Sequence, residues 1–424
     1  MFTNFKEVET FFDSRKSLGI KPGLDRIKNL LQLLDNPQDH IRAIHIAGTN
    51  GKGSTLHYIK DALQANGYRV GVFTSPSFTD LTGYIFKGDK AIPEDTLVKI
   101  CNDIYPSVMQ LDNRNMPPTE FEIITALAFV YFSKHTDIAL IEAGMGGRED
   151  TTNCFVPIIS IITNVAKDHT AFLGNHISEI AYHKAGIIKT GAPVVVGNME
   201  KEALDIIVEE TRLKQTKCYQ LGIDFTFKKA ASGQSFQWST SDFQIEASIQ
   251  MDGEHQIKNA SLAYMALVIL SNKGFIINCT SAQTAINETQ VPGRFETIHH
   301  QPLIILDGAH NPAGVQSFLD TVSAHFDHKE KHLMFAAFKD KDLKTMLDQL
   351  RGNFSSITLT SFNHPRAAVA KHLFDITGSG NKHCQPDWQQ AIEHMLKKRD
   401  GIYFITGSLH FIALVREYLL SLSK

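Results

Sequence analysis

A chain of 424 residues, 43% hydrophobic and 21% charged, has the length and composition of a globular protein with two or three domains. Its formal net charge of −3, with no long basic run to offset it, argues against general binding to nucleic acid or an anionic membrane. Small anionic substrates stay open, because local charge can differ from the total. The five cysteines, Cys101, Cys154, Cys218, Cys279 and Cys384, are odd in number, widely spaced and without a C-x-x-C pair. That pattern speaks against a zinc cluster or a disulfide framework and fits a reducing compartment.

The N-terminal MFTNFKEVETFFDSRK carries early acids and no apolar core segment, so it does not read as a signal peptide. Apolar, β-rich runs then recur at AIHIAG (43–48), RVGVFTS (69–75), DIALIEAG (137–144), PIISIITNV (157–165) and APVVVGN (192–198). Helical patterns alternate with them, notably STLHYIKDALQANG, TEFEIITALAFVYFSKH and SEIAYHKAGIIK, and Gly67 is placed as a left-handed helix cap. Continuous apolar strands separated by helices predict a parallel sheet covered on both faces. The apolar stretch ALAFVYF (126–132) is too short to span a bilayer. The expectation is a cytoplasmic protein.

Residues 223–250 alternate polar and apolar side chains around an S-G-Q turn, which predicts a small antiparallel excursion. A strong helix follows over 255–274, then a shorter one through TAINETQ. At VPGRFE (291–296) a Pro-Gly pair breaks the chain, so a linker is placed near 291–298. The alternation restarts with PLIILDGAHN, HLMFAAF, SSITLTSF and GIYFITGS, which indicates a second α/β domain.

Between the first strand and its helix lies HIAGTNGKGS (45–54). Its small residues let the backbone wrap closely, so that successive N–H groups can face phosphate oxygens. The helix N-terminus adds a partial positive charge and Lys52 a full one. The spacing departs from the strict Walker pattern: only Thr49 and Asn50 separate Gly48 from Gly51, and Gly53 intervenes before Ser54. A glycine-rich turn with a solvated lysine is the competing reading.

GTNGKGS, TSP (74–76), EAGMGGREDTTN (142–153), DHTAFLG (168–174), HKAGIIK (183–189), HQIKNA (255–260), PGRFE (292–296) and DGAHNP (307–312) occur in this order. Together they resemble the folylpolyglutamate synthases, often bifunctional with dihydrofolate synthase activity, within the Mur ligase superfamily. The resemblance implies an α/β fold. An N-terminal P-loop Mur-ligase-like ATPase domain with a parallel sheet would span 1–295. A smaller, Rossmann-like C-terminal α/β domain, the glutamate-ligase domain, would span 296–424.

The implied reaction is ATP-dependent amide formation between a folate carboxylate and the amino group of L-glutamate. It runs through an acyl phosphate and releases ADP and phosphate. Phosphorylation removes the negative charge that repels a nucleophile and replaces oxide with a better leaving group. Dihydropteroate is an alternative acceptor, and the sequence does not separate the two. The implied partners are folate or dihydropteroate and L-glutamate, with ATP and two magnesium ions; a monomer is expected.

The resemblance carries roles onto matching positions. Thr49, Asn50, Gly51, Lys52, Gly53 and Ser54 would hold ATP, with Lys52 also catalytic. Glu142, at a strand end where ligands of open α/β sheets collect, and Ser75 would hold magnesium through hard oxygen donors. His169 would hold a second magnesium, an unusual imidazole role accepted by analogy. Lys184, otherwise an ordinary helical lysine, would be catalytic as a carbamate whose anionic oxygens hold that second metal or position the groups around it. Its neighbour His183 departs from the family, in which many relatives carry an acid. Asn259, Arg294 and Asp307 would contact ATP, and a hinge arginine at 294 suits clamping a phosphate when domains close. His310 would orient glutamate or the γ-phosphate. Thr119, Glu120, Phe121 and Glu122, with Asp150, would form the folate site, although Phe121 is equally suited to core packing. Arg148 would pair with a substrate carboxylate or with a neighbouring acid. A P-loop kinase or ATPase leaves KAGIIK and DGAHNP without a purpose, and a non-catalytic binding protein leaves Lys52, Glu142 and Lys184 without one.

Overall fold

The computed structural model describes residues 1–77, 80–230, 233–378, 380–398 and 400–422. The chain divides into two compact units. The first comprises Met1–Ala166, Thr170–Ile249 and Ile257–Thr289; the second comprises Lys167–His169, Gln250–Gln256 and Gln290–Lys424.

The first unit is built on an eight-stranded sheet of β1 (Ala43–Ala47), β2 (Val70–Phe73), β3 (Ile85–Lys87), β4 (Lys90–Ala91), β5 (Ile138–Glu142), β6 (Ile159–Ile162), β7 (Val194–Val196) and β8 (Cys218–Gln220). Their spatial order is β4-β3-β2-β5-β1-β6-β7-β8. The six strands from β2 to β8 run parallel. β3 and β4 add an antiparallel edge that the sequence does not announce, because both are only two or three residues long. Every residue of β1, β2, β5, β6 and β7 is buried, as continuous apolar runs require once helices cover both faces.

The helix Glu120–His135 is buried round most of its circumference and starts with a capping box between Thr119 and Glu122. It lies in one core with Val8 and Phe12 of the helix Phe5–Arg15 and Ile27 and Leu30 of the helix Asp25–Gln32. These two N-terminal helices were not anticipated. Their apolar faces are short, and tertiary packing stabilises them, helped by the ion pair of Arg15 with Asp112. The helix Lys52–Ala65 ends at Asn66, with Gly67 left-handed at φ 83° as expected.

A three-stranded antiparallel sheet follows, β9 (Phe225–Lys229), β10 (Ser235–Thr240) and β11 (Gln244–Ser248), in the order β11-β10-β9. Part of its expected S-G-Q turn, at Ser232, lies outside the described residues. Trp238 of β10 is fully buried, its ring centroid 5.6 Å from that of Tyr264.

The second unit holds a six-stranded sheet of β12 (Glu296–His300), β13 (Leu303–Leu306), β14 (His332–Phe335), β15 (Ser356–Ser361), β16 (Lys382–Asp387) and β17 (Ile402–Thr406), in the order β12-β13-β17-β14-β15-β16. All neighbours are parallel except β12, which pairs antiparallel with β13. Residues 296–298 are therefore strand rather than linker. The alternating ETIHH pattern was masked by the adjacent Pro-Gly. The edge strand β16 was also missed, since KHCQPD is polar and largely exposed. The loops after β13, β14, β15 and β17 leave the same edge of the sheet, because those strands share one direction. No described helix is long and apolar enough to cross a membrane.

Phe404 of β17 is fully buried, with its ring centroid 5.3–6.0 Å from those of Phe295, Phe318, Phe326 and Phe354. Phe404→Ala is expected to cost ~3–5 kcal/mol, checked by chemical denaturation followed by circular dichroism.

Candidate active site

The loop after β1 is shaped by close backbone approach. Gly48 (φ 153°) and Gly51 (φ 82°) both adopt positive φ. A Cβ on Gly48 would collide with the Thr163 hydroxyl, and one on Gly51 with the Asn259 amide oxygen. Two residues after β6 fix the loop from the side. Thr163 Oγ1 donates to Asn50 O at 2.6 Å, and Asn164 Oδ1 accepts from the N–H groups of Thr49 (3.2 Å) and Asn50 (2.9 Å). Thr49 Oγ1 donates to Ala166 O at 3.0 Å. With those two N–H groups engaged, the first-turn N–H groups of the helix Lys52–Ala65 are the ones that face an incoming anion. Thr163 and Asn164 escaped the sequence reading; a polar Thr-Asn directly after an apolar strand was the available signal.

Lys52 folds back over the loop, its Nζ 3.1 Å from Gly48 O, 3.4 Å from Thr49 O and 3.9 Å from Glu142 Oε1. Glu142 closes β5 and is only 6% exposed, and its Oε2 accepts from Thr74 Oγ1 at 2.5 Å. Registry explains the meeting: β1 lies beside β5, with Ile46 opposite Glu142, and β5 lies beside β2. The Thr74 hydroxyl is the one that meets the carboxylate; Ser75, the residue expected at magnesium, follows it in the chain and is half-buried. Among the described residues no group of three or more His, Cys, Asp or Glu side chains gathers as a metal cage. A carboxylate with a flanking hydroxyl still fits magnesium, which keeps several waters and uses one or two protein oxygens together with phosphates.

The glycine turn after β5 is pressed against the end of the helix Ile177–Ala185. Arg148 N donates to His183 O at 2.6 Å, and a Cβ on Gly147 would lie 2.8 Å from His183 O and 3.0 Å from Lys184 O. Gly186 has no room for a Cβ against the Arg148 backbone. Lys184 is 3% exposed, so this is not the solvated helical lysine that composition suggests. The Arg148 guanidinium is taken by Glu210 at 2.6 Å and lies 3.9 Å above the Tyr182 ring, so the neighbouring acid is its partner.

In the expected folate segment, Thr119 and Glu122 cap their helix: Thr119 N donates to Glu122 Oε2 at 2.6 Å, and Arg26 Nε lies 3.0 Å from Glu122 Oε1. Phe121 is half-buried, its centroid 5.8 Å from Phe73 and 6.5 Å from Tyr84. A Cβ on Gly144 would stand 2.9 Å from Phe121 Cζ and 3.4 Å from Asp150 Oδ2, so an aromatic edge and a carboxylate flank one glycine. Burial pushes the Glu120 carboxyl up, opposed by Lys16. Asp150 is buried, and burial raises its carboxyl against the lowering effect of the Thr152 hydroxyl and nearby N–H groups.

The second unit gathers its own set. Asp307 accepts from Ala309 N at 2.9 Å and Phe295 N at 3.0 Å, tying the DGA loop to the PGRF turn, where Phe295 is left-handed at φ 50°. Burial raises the Asp307 carboxyl and Arg294 opposes it. Arg294 lies against Gly308. His310 donates from Nδ1 to Gly308 O at 2.8 Å and turns Nε2 toward Asp168 Oδ2 at 3.4 Å. Asp168 also accepts from Asn311 Nδ2 at 3.2 Å and from Lys341, which the sequence reading passed over. Burial acts to raise the Asp168 carboxyl, but the His310 hydrogen bond and the Lys341 charge outweigh it and hold it well below the usual carboxylate range. His169 is left-handed at φ 51°, its N–H 2.8 Å from Asp168 Oδ1. Asn259 sits with the phosphate loop of the first unit, whereas Arg294, Asp307 and His310 belong to the second.

A phosphate loop on a buried parallel sheet, a carboxylate at the end of the neighbouring strand and a second α/β unit define a Mur-type ligase. Residues 46–267 match the Mur ligase middle domain and residues 293–409 the Mur ligase glutamate ligase domain. Within that class the chain belongs to the dihydrofolate synthase/folylpolyglutamate synthase family. It is 36% identical to a Bacillus subtilis dihydrofolate synthase/folylpolyglutamate synthase, covering 99% of this chain and 100% of that one. It is 32% identical to a Lacticaseibacillus casei folylpolyglutamate synthase, over 98% and 99% of the two chains. Its fold matches the crystal structure of a Thermotoga maritima folylpolyglutamate synthase at a TM-score of 0.84, 32% identity and 98% and 97% coverage. The Mycobacterium tuberculosis enzyme complexed with ADP and AMPPCP gives 0.88 at 28% identity, over 98% of both chains.

Two predictions follow from the geometry. Gly51→Ala faces both the positive φ and the Asn259 contact, and is expected to weaken nucleotide binding at least about tenfold by calorimetric titration, with ~1 kcal/mol or more of destabilisation. His45 of β1 is fully buried, and burial lowers its imidazole from 6.5 to about 3. The unfolded chain therefore takes up a proton below about pH 6.5 that the folded chain refuses, so this group contributes stability above that pH that is lost progressively down to about pH 3. His45→Gln should flatten that part of a stability–pH profile, measured by denaturant midpoints from pH 7 to 4.

Proposed function

We propose that this protein is an ATP-dependent ligase that adds L-glutamate to folates, forming an amide through an acyl phosphate and releasing ADP and phosphate. The observation that carries the reading is the Gly48–Ser54 loop with Lys52 reaching toward a buried Glu142, on a chain similar end to end to enzymes named for this reaction. A carboxylate accepting the γ-phosphoryl group gathers negative charge at the transferring oxygens. The loop's helix N-terminus and the Lys52 ammonium are the groups of this chain that offset it.

Glu142, with Thr74 and Ser75 beside it, would hold a magnesium ion, and His169 and Lys184 a second, the lysine as its carbamate. Bound metal supplies charge neutralisation of the phosphate oxygens and orients them. Lys184 is buried rather than solvated, which sets it apart from an ordinary helical lysine and supports this assignment. Asn259, Arg294 and Asp307 are assigned to the nucleotide, and His310, held by Gly308 O and facing Asp168, to glutamate or the γ-phosphate. Phe121 and Asp150, flanking Gly144, are assigned to the pteridine, with Glu120 at the rim. Thr119 and Glu122 serve that site by starting the helix that carries Phe121. Residues 1–295 are read as the ATP-binding domain and 296–424 as the glutamate-ligase domain, in a cytoplasmic monomer.

The test is an assay with ATP, L-glutamate and either dihydropteroate or a reduced folate, with products resolved by mass. One glutamate added to dihydropteroate marks dihydrofolate synthase activity, and longer tails on a folate mark polyglutamylation; the bifunctional name of the B. subtilis relative favours finding both. ADP release that ignores glutamate would count against the reading. Glu142→Gln is expected to lower the rate of either reaction about a hundredfold or more. Mass spectrometry in the presence of carbon dioxide is expected to show the added mass of one carbon dioxide on Lys184, and a fully active enzyme with unmodified Lys184 would remove that assignment.

A further inference from the structure

We propose that His45, acting through Thr152, is the positioning residue that fixes the Asp150 carboxylate for the pteridine acid. The inference rests on the reading of Asp150 as a pteridine contact. His45 stands in the middle of β1, three residues before Gly48, at 0% exposure. Its Nε2 lies 2.9 Å from Thr152 Oγ1, which in turn hydrogen-bonds Asp150 Oδ1. Thr152 N reaches the same oxygen at 3.0 Å, and Met145 N reaches Oδ2 at 2.7 Å. The three side chains form a buried line from the central strand to the carboxylate beside Gly144.

The protons along this line have one low-cost arrangement. An ionised Asp150 only accepts, so the Thr152 hydroxyl proton points to it, and the hydroxyl oxygen accepts the Nε2–H of His45. The imidazole is then neutral, with a bare Nδ1 that has no hydrogen-bond partner among the described residues. The reverse arrangement, with a proton on Asp150 and Thr152 donating to Nε2, would leave a buried Nδ1–H without an acceptor, which is costlier to bury than an unpaired lone pair. An aliphatic side chain, like Ile44 and Ile46 on either side, would occupy this part of the strand with no unmatched nitrogen. What the imidazole adds is the bond to Thr152, and through it a fixed orientation and charge for Asp150.

The experiment compares His45→Leu, His45→Gln, Thr152→Val, Thr152→Ser and Asp150→Asn for KM of the pteridine acid, KM of ATP, kcat and thermal midpoint. His45→Leu and Thr152→Val break the line and are expected to raise KM for the pteridine acid about tenfold, leaving KM for ATP within about twofold. Glutamine keeps a donor at the Nε2 position and serine keeps the hydroxyl, so both should restore KM to within about threefold of wild type, and the Leu/Val double variant should be no worse than either single one. Lower thermal midpoints with unchanged KM for the pteridine acid, or equal rises for ATP and the pteridine acid, would overturn the proposal. A rise in Asp150→Asn without one in His45→Leu and Thr152→Val would overturn the relay and leave the proposed function standing. No glutamylated product from the wild type would overturn the parent reading and this one with it.

Discussion

The site depends on how closely the phosphate loop can approach its neighbours. Thr163 and Asn164, just beyond β6, bind the loop's carbonyl and N–H groups. Gly48 and Gly51 leave no space where a Cβ would stand. Those lateral bonds occupy the N–H groups of Thr49 and Asn50 and hold the helix that begins at Lys52 in register with the end of β5. The 3.9 Å approach of Lys52 to Glu142 follows from that placement. Glu142 is thereby buried beside a lysine and a threonine hydroxyl.

The turn after β5 works by the same means on a second group. Glycines at 147 and 186 allow the turn and the end of the helix Ile177–Ala185 to touch through backbone atoms. That contact buries Lys184 and engages Arg148 with Glu210. The same turn carries Asp150, whose oxygens are held by Met145 and Thr152, and both Asp150 and Phe121 crowd Gly144. One glycine-rich segment of eight residues therefore governs a lysine, an arginine and a carboxylate with three different surroundings. In the second unit Asp307 has a comparable part, joining the PGRF turn to the DGA loop by two backbone hydrogen bonds.

Much of this was legible in the sequence, and for identifiable reasons. Fully buried parallel strands demand unbroken apolar runs, so β1, β2, β5, β6 and β7 were readable as such, as were the strong helices over 120–135 and 254–272. The strands at the sheet margins were not, because β3, β4 and β16 are short or polar and owe their existence to a neighbour's hydrogen-bonding edge. The helices Phe5–Arg15 and Asp25–Gln32 depend likewise on a face supplied by residues far along the chain.

By itself the sequence determined which apolar runs become buried strands and where the phosphate loop lies, because these are local properties of a few consecutive residues; the metal and pteridine roles rested on its resemblance to a ligase family. Only the tertiary structure decided which of those residues meet. It gave Glu142 to Thr74, Arg148 to Glu210 and Asn259 to the phosphate loop. It also brought in Thr163, Asn164 and Lys341, and it gave Asp168 and the buried His45–Thr152 pair contacts that no local pattern marks. The reason is distance along the chain: strand order and helix packing place side chains from 62 to 173 residues apart within hydrogen-bonding reach, and periodicity carries no record of such meetings.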